Sequence, residues 1–183
     1  MRNSLLATYG NQGEMLRALS PAMQHELYRN KMDCWFGNYP TLAELNQAYN
    51  TKTAQAWLIP QLTDLSEFCG AKGKLTVNQL TQCAEIIATD YYYLKVSELM
   101  LFFSNMKRSK YGRFYGAIDP MTIFSAMDDF LQERAYAYES KASEERRQAQ
   151  REKMKNACSW EEHLKRTGQD ENKNKTNPLE RIK

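Results

Sequence analysis

The segment Leu94–Met106 constrains the fold more than any other part of this chain. It is the most apolar stretch, and it includes Val96, Leu99 and Phe102. A helix that is apolar on all sides has to be buried by other elements. The segments around it also repeat apolar residues at helical spacing, and no alternating strand pattern runs for more than a few residues. We therefore predict an all-α protein with this segment as its central helix.

Four helix starts can be recognised from short motifs. Thr41–Glu44 and Thr76–Gln79 fit the capping box, in which a hydroxyl and a carboxyl or amide group satisfy backbone amides. Ser20-Pro21 and Asp119-Pro120 place a capping residue before a proline at the first helical position. With only 8 glycines and 5 prolines in 183 residues, the chain suits a single bundle of five or six helices over residues 20–140.

The pattern divides the chain into four parts. Residues 1–19 are weakly patterned and predict a weakly ordered arm, followed by the helical domain 20–140. The apolar stripe ends beyond Tyr138, so residues 141–166 predict a charged helical extension. The composition of residues 167–183 is typical of a disordered tail.

Charge and cysteine content narrow the class of protein. The net charge is +3, and all of the basic excess lies beyond residue 105, because residues 1–105 hold 8 Lys/Arg and 9 Asp/Glu. This bias is compatible with an acidic partner such as nucleic acid, although it is mild. The four cysteines are too far apart for a metal knuckle. There is no apolar stretch for a signal peptide or a membrane span. We predict a cytoplasmic protein with free thiols and no membrane contact.

Motifs for catalysis are almost absent. The two histidines, His25 and His163, stand alone in segments that we expect to be exposed. Asp129 and Glu133 share a helix face, as paired acids do in metal-dependent nucleases, but that face is the wet one. A nuclease is therefore only a remote alternative. We predict no enzyme, with no catalytic residues, no metal and no small-molecule cofactor.

Glu98 is a special case because it is an acid in the most apolar helix. It follows Ser97, which we predict to cap that helix, and an acid in the first turn favours the helix dipole. Alternatively, Glu98 is buried and paired with Arg134. Both roles are structural.

The least typical segment is the loop 106–119, MKRSKYGRFYGAID, between two predicted helices. Up to Gly116 it holds four basic residues, three aromatic residues, two glycines and no acid. Three interpretations remain open. The loop binds nucleic acid through phosphate contacts and stacking; it is a docking surface for a protein; or it is a connection in which Phe114, Tyr115 and Ile118 cap the bundle.

The region around this loop resembles a family of short uncharacterised helical proteins from Bacteroidales prophages and conjugative elements. The shared pattern is Ser97-Glu98-Leu99, then Tyr111–Gly116, then Asp119-Pro120, then Glu133-Arg134. The likeness covers roughly residues 75–140. The resemblance implies an origin in mobile elements and no particular activity.

The sequence thus predicts a non-enzymatic accessory factor of mobile-element or phage DNA metabolism, which binds nucleic acid or a replication protein. The alternative is a protein-interaction adaptor or inhibitor that does not bind nucleic acid. The residues predicted to make the contact are basic or aromatic: Lys107, Arg108, Lys110, Tyr111, Arg113 and Tyr115.

Overall fold

The computed structural model describes residues 2–70, 72–112 and 118–170, and within them the protein is all-α, as predicted. These residues contain nine helices and no strand, and the last helix is long. The helices are α1 (Arg2–Tyr9), α2 (Gln12–Ala18), α3 (Met23–Arg29), α4 (Lys31–Phe36), α5 (Leu42–Ala48), α6 (Thr53–Cys69), α7 (Val77–Asp90), α8 (Val96–Lys107) and α9 (Pro120–Asp170).

The chain divides into two compact units between Ala135 and Tyr136. The first unit contains α1 to α8 and the first turns of α9. The predicted tail 167–183 lies largely outside the described residues. No helix in the described part of the chain has the length and apolar character needed to cross a bilayer.

Helix α8 is the centre of the first unit. Every residue from Val96 to Met106 is buried, which confirms the prediction of a central helix. It packs against α3, α4 and α6. Because no side of α8 is exposed to solvent from Val96 to Met106, its polar residues there are buried as well. Each of them needs a hydrogen-bonding partner inside the protein.

An aromatic cluster lies along one side of α8. The ring of Phe102 lies 5.3 Å from that of Phe103, 5.4 Å from that of Phe130 and 5.9 Å from that of Tyr111, measured between centroids. Trp35 of α4 stacks on Phe130 at 5.1 Å. These contacts join α4, α8 and the start of α9 into one core.

The N-terminal end of α8 also fastens α4. The Lys95 ammonium donates to the carbonyls of Trp35 and Gly37 at 3.1 and 3.0 Å. The Ser97 hydroxyl donates to the Cys34 carbonyl at 2.8 Å. The prediction that Ser97 caps α8 is therefore wrong. Ser97 is a buried residue that links α8 to α4. A cation at a helix C-terminus is favourable because the last carbonyls carry partial negative charge.

Three of the four predicted helix starts are confirmed. Thr41 accepts from the Glu44 amide, Thr76 accepts from the Gln79 amide, and both boxes are closed by the return bond. Asp119 accepts from the Thr122 amide at 2.9 Å, and these hydrogen bonds lower the pKa of its carboxyl group. Ser20 does not cap a helix, because α3 begins three residues later, at Met23, with Ala22 in the N-cap position.

Cap removal offers a first quantitative check. We expect Thr76→Ala to lower the free energy of unfolding by about 1 kcal/mol, because one amide at the start of α7 loses its acceptor. Thr81→Ala is the matched control. Among the described residues its hydroxyl bonds only to the Val77 carbonyl of the same helix, so its loss should change stability by less than about 0.5 kcal/mol. Equal effects in urea titrations would contradict the capping role.

The segment that follows Ser20-Pro21 forms two helices, which meet at Asn30. The Asn30 side chain accepts from the Asp33 amide at 3.3 Å and starts α4. Pro60 lies inside α6, which continues through it. The arm 1–19, predicted to be weakly ordered, contains α1 and α2, with Met15 and Leu19 buried at its end.

Candidate functional site

The predicted loop begins where α8 ends. The chain turns through Ser109, which has a left-handed backbone with φ of 56°, and Gly112, with φ of 116°. Only glycine adopts such angles without strain, so Ser109 marks a turn imposed by its surroundings. Residues 113–117 lie outside the described residues. The predicted contact residues Arg113 and Tyr115, and Phe114, whose burial the sequence leaves open, lie in this segment.

Lys107 is tied to α6. Its ammonium forms an ion pair with the Asp64 carboxylate and lies 5.7 Å from the centroid of the Phe68 ring. Its side chain is mostly buried, with 17% of its surface exposed. A phosphate at Lys107 would have to share this cation with a carboxylate.

Lys110 and Tyr111 both contact the start of α9. Lys110 is paired with Glu133. The Tyr111 hydroxyl donates to the other Glu133 oxygen at 3.0 Å and accepts from the Asn105 amide at 2.8 Å. Burial raises the pKa of Tyr111, and the charge of Glu133 raises it further. With its ring also against Phe102, Tyr111 holds the loop to the bundle.

Ile118 is in a similar position at the other end of the loop. It is buried, and its amide donates to the Gly73 carbonyl at 3.2 Å. The interpretation of the loop as a connection that caps the bundle is thus confirmed for Ile118.

Arg108 differs from its two basic neighbours because it has no carboxylate partner among the described residues. Its guanidinium lies on the face of Tyr28 at 3.8 Å, and one terminal nitrogen donates to the Ser104 carbonyl at 3.0 Å and to the Ser104 hydroxyl. The other N–H groups of this exposed side chain make no hydrogen bond in the described part of the chain. The stack and the two hydrogen bonds fix the plane of the guanidinium, which leaves its open edge ready to bind an anion.

A groove of about 450 Å³ lies beside Arg108, between the start of α3, the end of α6 and the end of α8. The charged or titratable side chains that line it are all basic, and a phenylalanine ring forms part of its wall. The lining residues are Pro21, Ala22, Gln24, His25, Phe68, Ser104, Lys107 and Arg108.

The sequence did not identify the aromatic residues of this site. Phe68 continues the apolar stripe of α6, yet it is 65% exposed. The stripe is regular up to Leu65, and Phe68 is wet because it lies in the last turn before Gly70 ends the helix. No sequence motif marks Tyr28 as part of a site. His25 is exposed, as predicted.

The acids considered for a nuclease do not form a metal site. Asp129 is exposed, as predicted for the wet face of α9, and Glu133 is engaged by Lys110 and Tyr111. In the portion described by the structure, no three His, Cys, Asp or Glu residues are grouped so as to hold a metal ion. Cys34, Cys69 and Cys83 are free thiols.

The predicted pair of Glu98 and Arg134 is confirmed. The Glu98 side chain is fully buried, and the Arg134 Nε donates to its Oε1 at 2.8 Å. The other carboxylate oxygen accepts from the Lys95 amide at 2.9 Å. Both residues belong to the pattern that carries the family resemblance, and their role in the structure is to join α8 to α9.

A comparison with known families identifies the region that contains these elements. The model of a family of unknown function, DUF6633, matches residues 74–174, which is more than half of the chain. The chain belongs to DUF6633. The resemblance to an uncharacterised family is thereby confirmed at this level. Neither the curated proteins nor the solved structures contain a significant match. The DUF6633 region supplies Ser104, Lys107 and Arg108 to the groove, and the preceding residues supply its other wall.

Proposed function

We propose that this DUF6633 protein is a non-enzymatic accessory factor that binds nucleic acid at the end of α8. The observation that carries the proposal is the fixed guanidinium of Arg108, whose open N–H edge matches the paired oxygens of a phosphate. The contact surface consists of Arg108 with Lys107 and Lys110, and extends into the predicted segment that holds Arg113 and Tyr115.

The biological setting belongs to the same proposal. The run of motifs from Ser97-Glu98-Leu99 to Glu133-Arg134 resembles proteins of Bacteroidales prophages and conjugative elements. We place the protein in the cytoplasm, in the DNA metabolism of such an element, with a nucleic acid or a replication protein as its partner. The charged part of α9 over residues 141–155, most of it exposed, adds electrostatic attraction for an acidic partner.

A second candidate is a protein-interaction adaptor or inhibitor, and one observation favours it. Two of the three described cations are already paired with carboxylates, Lys107 with Asp64 and Lys110 with Glu133. These pairs lower the local positive charge that draws a phosphate backbone. An adaptor would bind through exposed aromatic rings and would be much less sensitive to salt.

Fluorescence anisotropy with labelled single-stranded and double-stranded DNA and RNA tests the proposal. Wild-type protein should bind at about 50 mM salt and lose affinity steeply toward about 200 mM, because bound counterions are released from the phosphates. Arg108→Gln should weaken binding about tenfold, the effect of one charge-assisted contact. It should also reduce the slope of log affinity against log salt by about one.

Arg17→Gln is the matched control for this experiment. Arg17 is also exposed, lies on α2 in the same unit, and does not line the groove. Its replacement removes the same charge and should leave affinity nearly unchanged. Equal losses in the two variants would show general electrostatics without a site at Arg108. Absence of binding by the wild type at either salt concentration would contradict the function.

A further inference from the structure

The wall of the groove beside Arg108 carries an exposed aromatic ring. Phe68 lies at the end of α6 with 65% of its surface exposed. The Lys107 ammonium lies 5.7 Å from its centroid, and Lys107 is itself held by Asp64. A large ring at the lip of a concave site is exposed in a position where a planar group can stack on it.

The basic side chains of the groove favour a planar group that is attached to an anion. His25, Lys107 and Arg108 line it, and no acidic side chain does. The volume of about 450 Å³ lies within the usual range for small-ligand sites, roughly 300–1,000 Å³. A ligand with one planar apolar part and one anionic part would match both the ring and the guanidinium.

A buried amide at the groove adds a polar preference. Gln24 is only 3% exposed and lines the groove. Its Nε2 donates to the Gln61 Oε1 at 2.6 Å, while its own Oε1 has no hydrogen-bond partner in the described structure. An unpaired buried acceptor is costly. A ligand N–H donor that reached this oxygen would supply the hydrogen bond that it lacks.

We propose that the groove binds an unpaired nucleobase, which stacks on Phe68 while a neighbouring phosphate binds the open edge of Arg108. This inference rests on the proposed function and adds a preference for single strands. In a duplex the bases are paired and stacked on each other, so none is available to Phe68. Base–aromatic stacking depends little on sequence, because every base has a π face.

The test compares three labelled oligonucleotides of equal length: a single strand, the matching duplex, and a single strand with abasic sites. Wild-type protein should bind the single strand best. Phe68→Leu keeps an apolar side chain but removes the aromatic face, and should weaken single-strand binding about tenfold. The same variant should bind the abasic strand as the wild type does, because phosphate contacts are unchanged.

Two further variants separate stacking from general damage to the surface. Phe68→Trp should restore single-strand binding, and its indole fluorescence should be quenched when a base stacks on it. Tyr92→Leu removes another exposed ring, 55% exposed, that does not line the groove, and should bind as the wild type does. Circular dichroism confirms that each variant is folded.

The failures of the two proposals are distinguishable. If the protein binds nucleic acid and Phe68→Leu binds the single strand normally, the nucleobase site is wrong while the proposed function stands. If the wild type binds no oligonucleotide, both are wrong. If instead a labelled acidic peptide with one phenylalanine binds, and Phe68→Leu abolishes that binding, the groove serves a protein partner and the nucleobase proposal is overturned.

Discussion

Arg134→Met is expected to lower the free energy of unfolding by about 3–5 kcal/mol, the range for breaking a buried ion pair from one side. The Glu98 side chain is fully buried, and the Arg134 Nε is 2.8 Å from its Oε1. Methionine retains most of the packing of the arginine stem and removes the charge. The carboxylate of Glu98 then remains in the core, with its desolvation no longer offset by the cation. Urea denaturation followed by circular dichroism measures the loss.

A second substitution separates the charge effect from packing. Glu98→Gln in the Arg134→Met background removes the uncompensated charge and preserves an oxygen that accepts from the Lys95 amide. Most of the lost stability should return. No recovery would show that the arginine stem acts through contact alone. Lys110→Met is the surface control: its pair with Glu133 is partly exposed, so its loss should cost less than about 1 kcal/mol.

Phe102→Ala should have an effect of similar size, about 3–5 kcal/mol, for a different reason. Phe102 is fully buried, and its ring contacts those of Phe103, Phe130 and Tyr111. Replacement by alanine removes the buried apolar surface of the ring. It also leaves a cavity that the rigid aromatic neighbours fill poorly. In urea titrations the midpoint should fall while the slope stays constant, which shows that only stability has changed.

Phe68→Ala makes the same chemical change on an exposed ring. It should alter stability by less than about 0.5 kcal/mol, since little surface is buried there. A small effect of Phe102→Ala, comparable to that of Phe68→Ala, would contradict the central position of the aromatic cluster. The pair of variants therefore measures burial with the side-chain chemistry held constant.

Local sequence signals predicted the helices well because their causes are local. The capping boxes at Thr41 and Thr76 act over three residues, and an apolar helix such as α8 has only one possible position, inside. The number of helices was underestimated, since seven begin between residues 20 and 140. Asn30 explains part of the difference, because it ends α3 and caps α4. The residues around it give no sign of this double role.

The candidate site was only partly predictable, since its contacts are long-range. Lys107 and its partner Asp64 are 43 residues apart, and Lys110 and Glu133 are 23 apart. The basic loop therefore looked like a set of unpaired cations in the sequence, whereas two of the three described ones are partly neutralised in the fold. The special position of Arg108 depends on Tyr28, a residue that no local pattern relates to the loop.

The position of the central helix bears on whether a DUF6633 region can be stable by itself. The family match begins at residue 74, yet α8 within it is covered by α3, α4 and α6, which all precede that point. A chain that began at residue 74 would expose the apolar surface of α8 to water, together with the end of α8 that carries Glu98. The first 73 residues are thus part of the fold that buries α8. A family member that lacked them would need a substitute cover, supplied by another chain or by a second copy of itself.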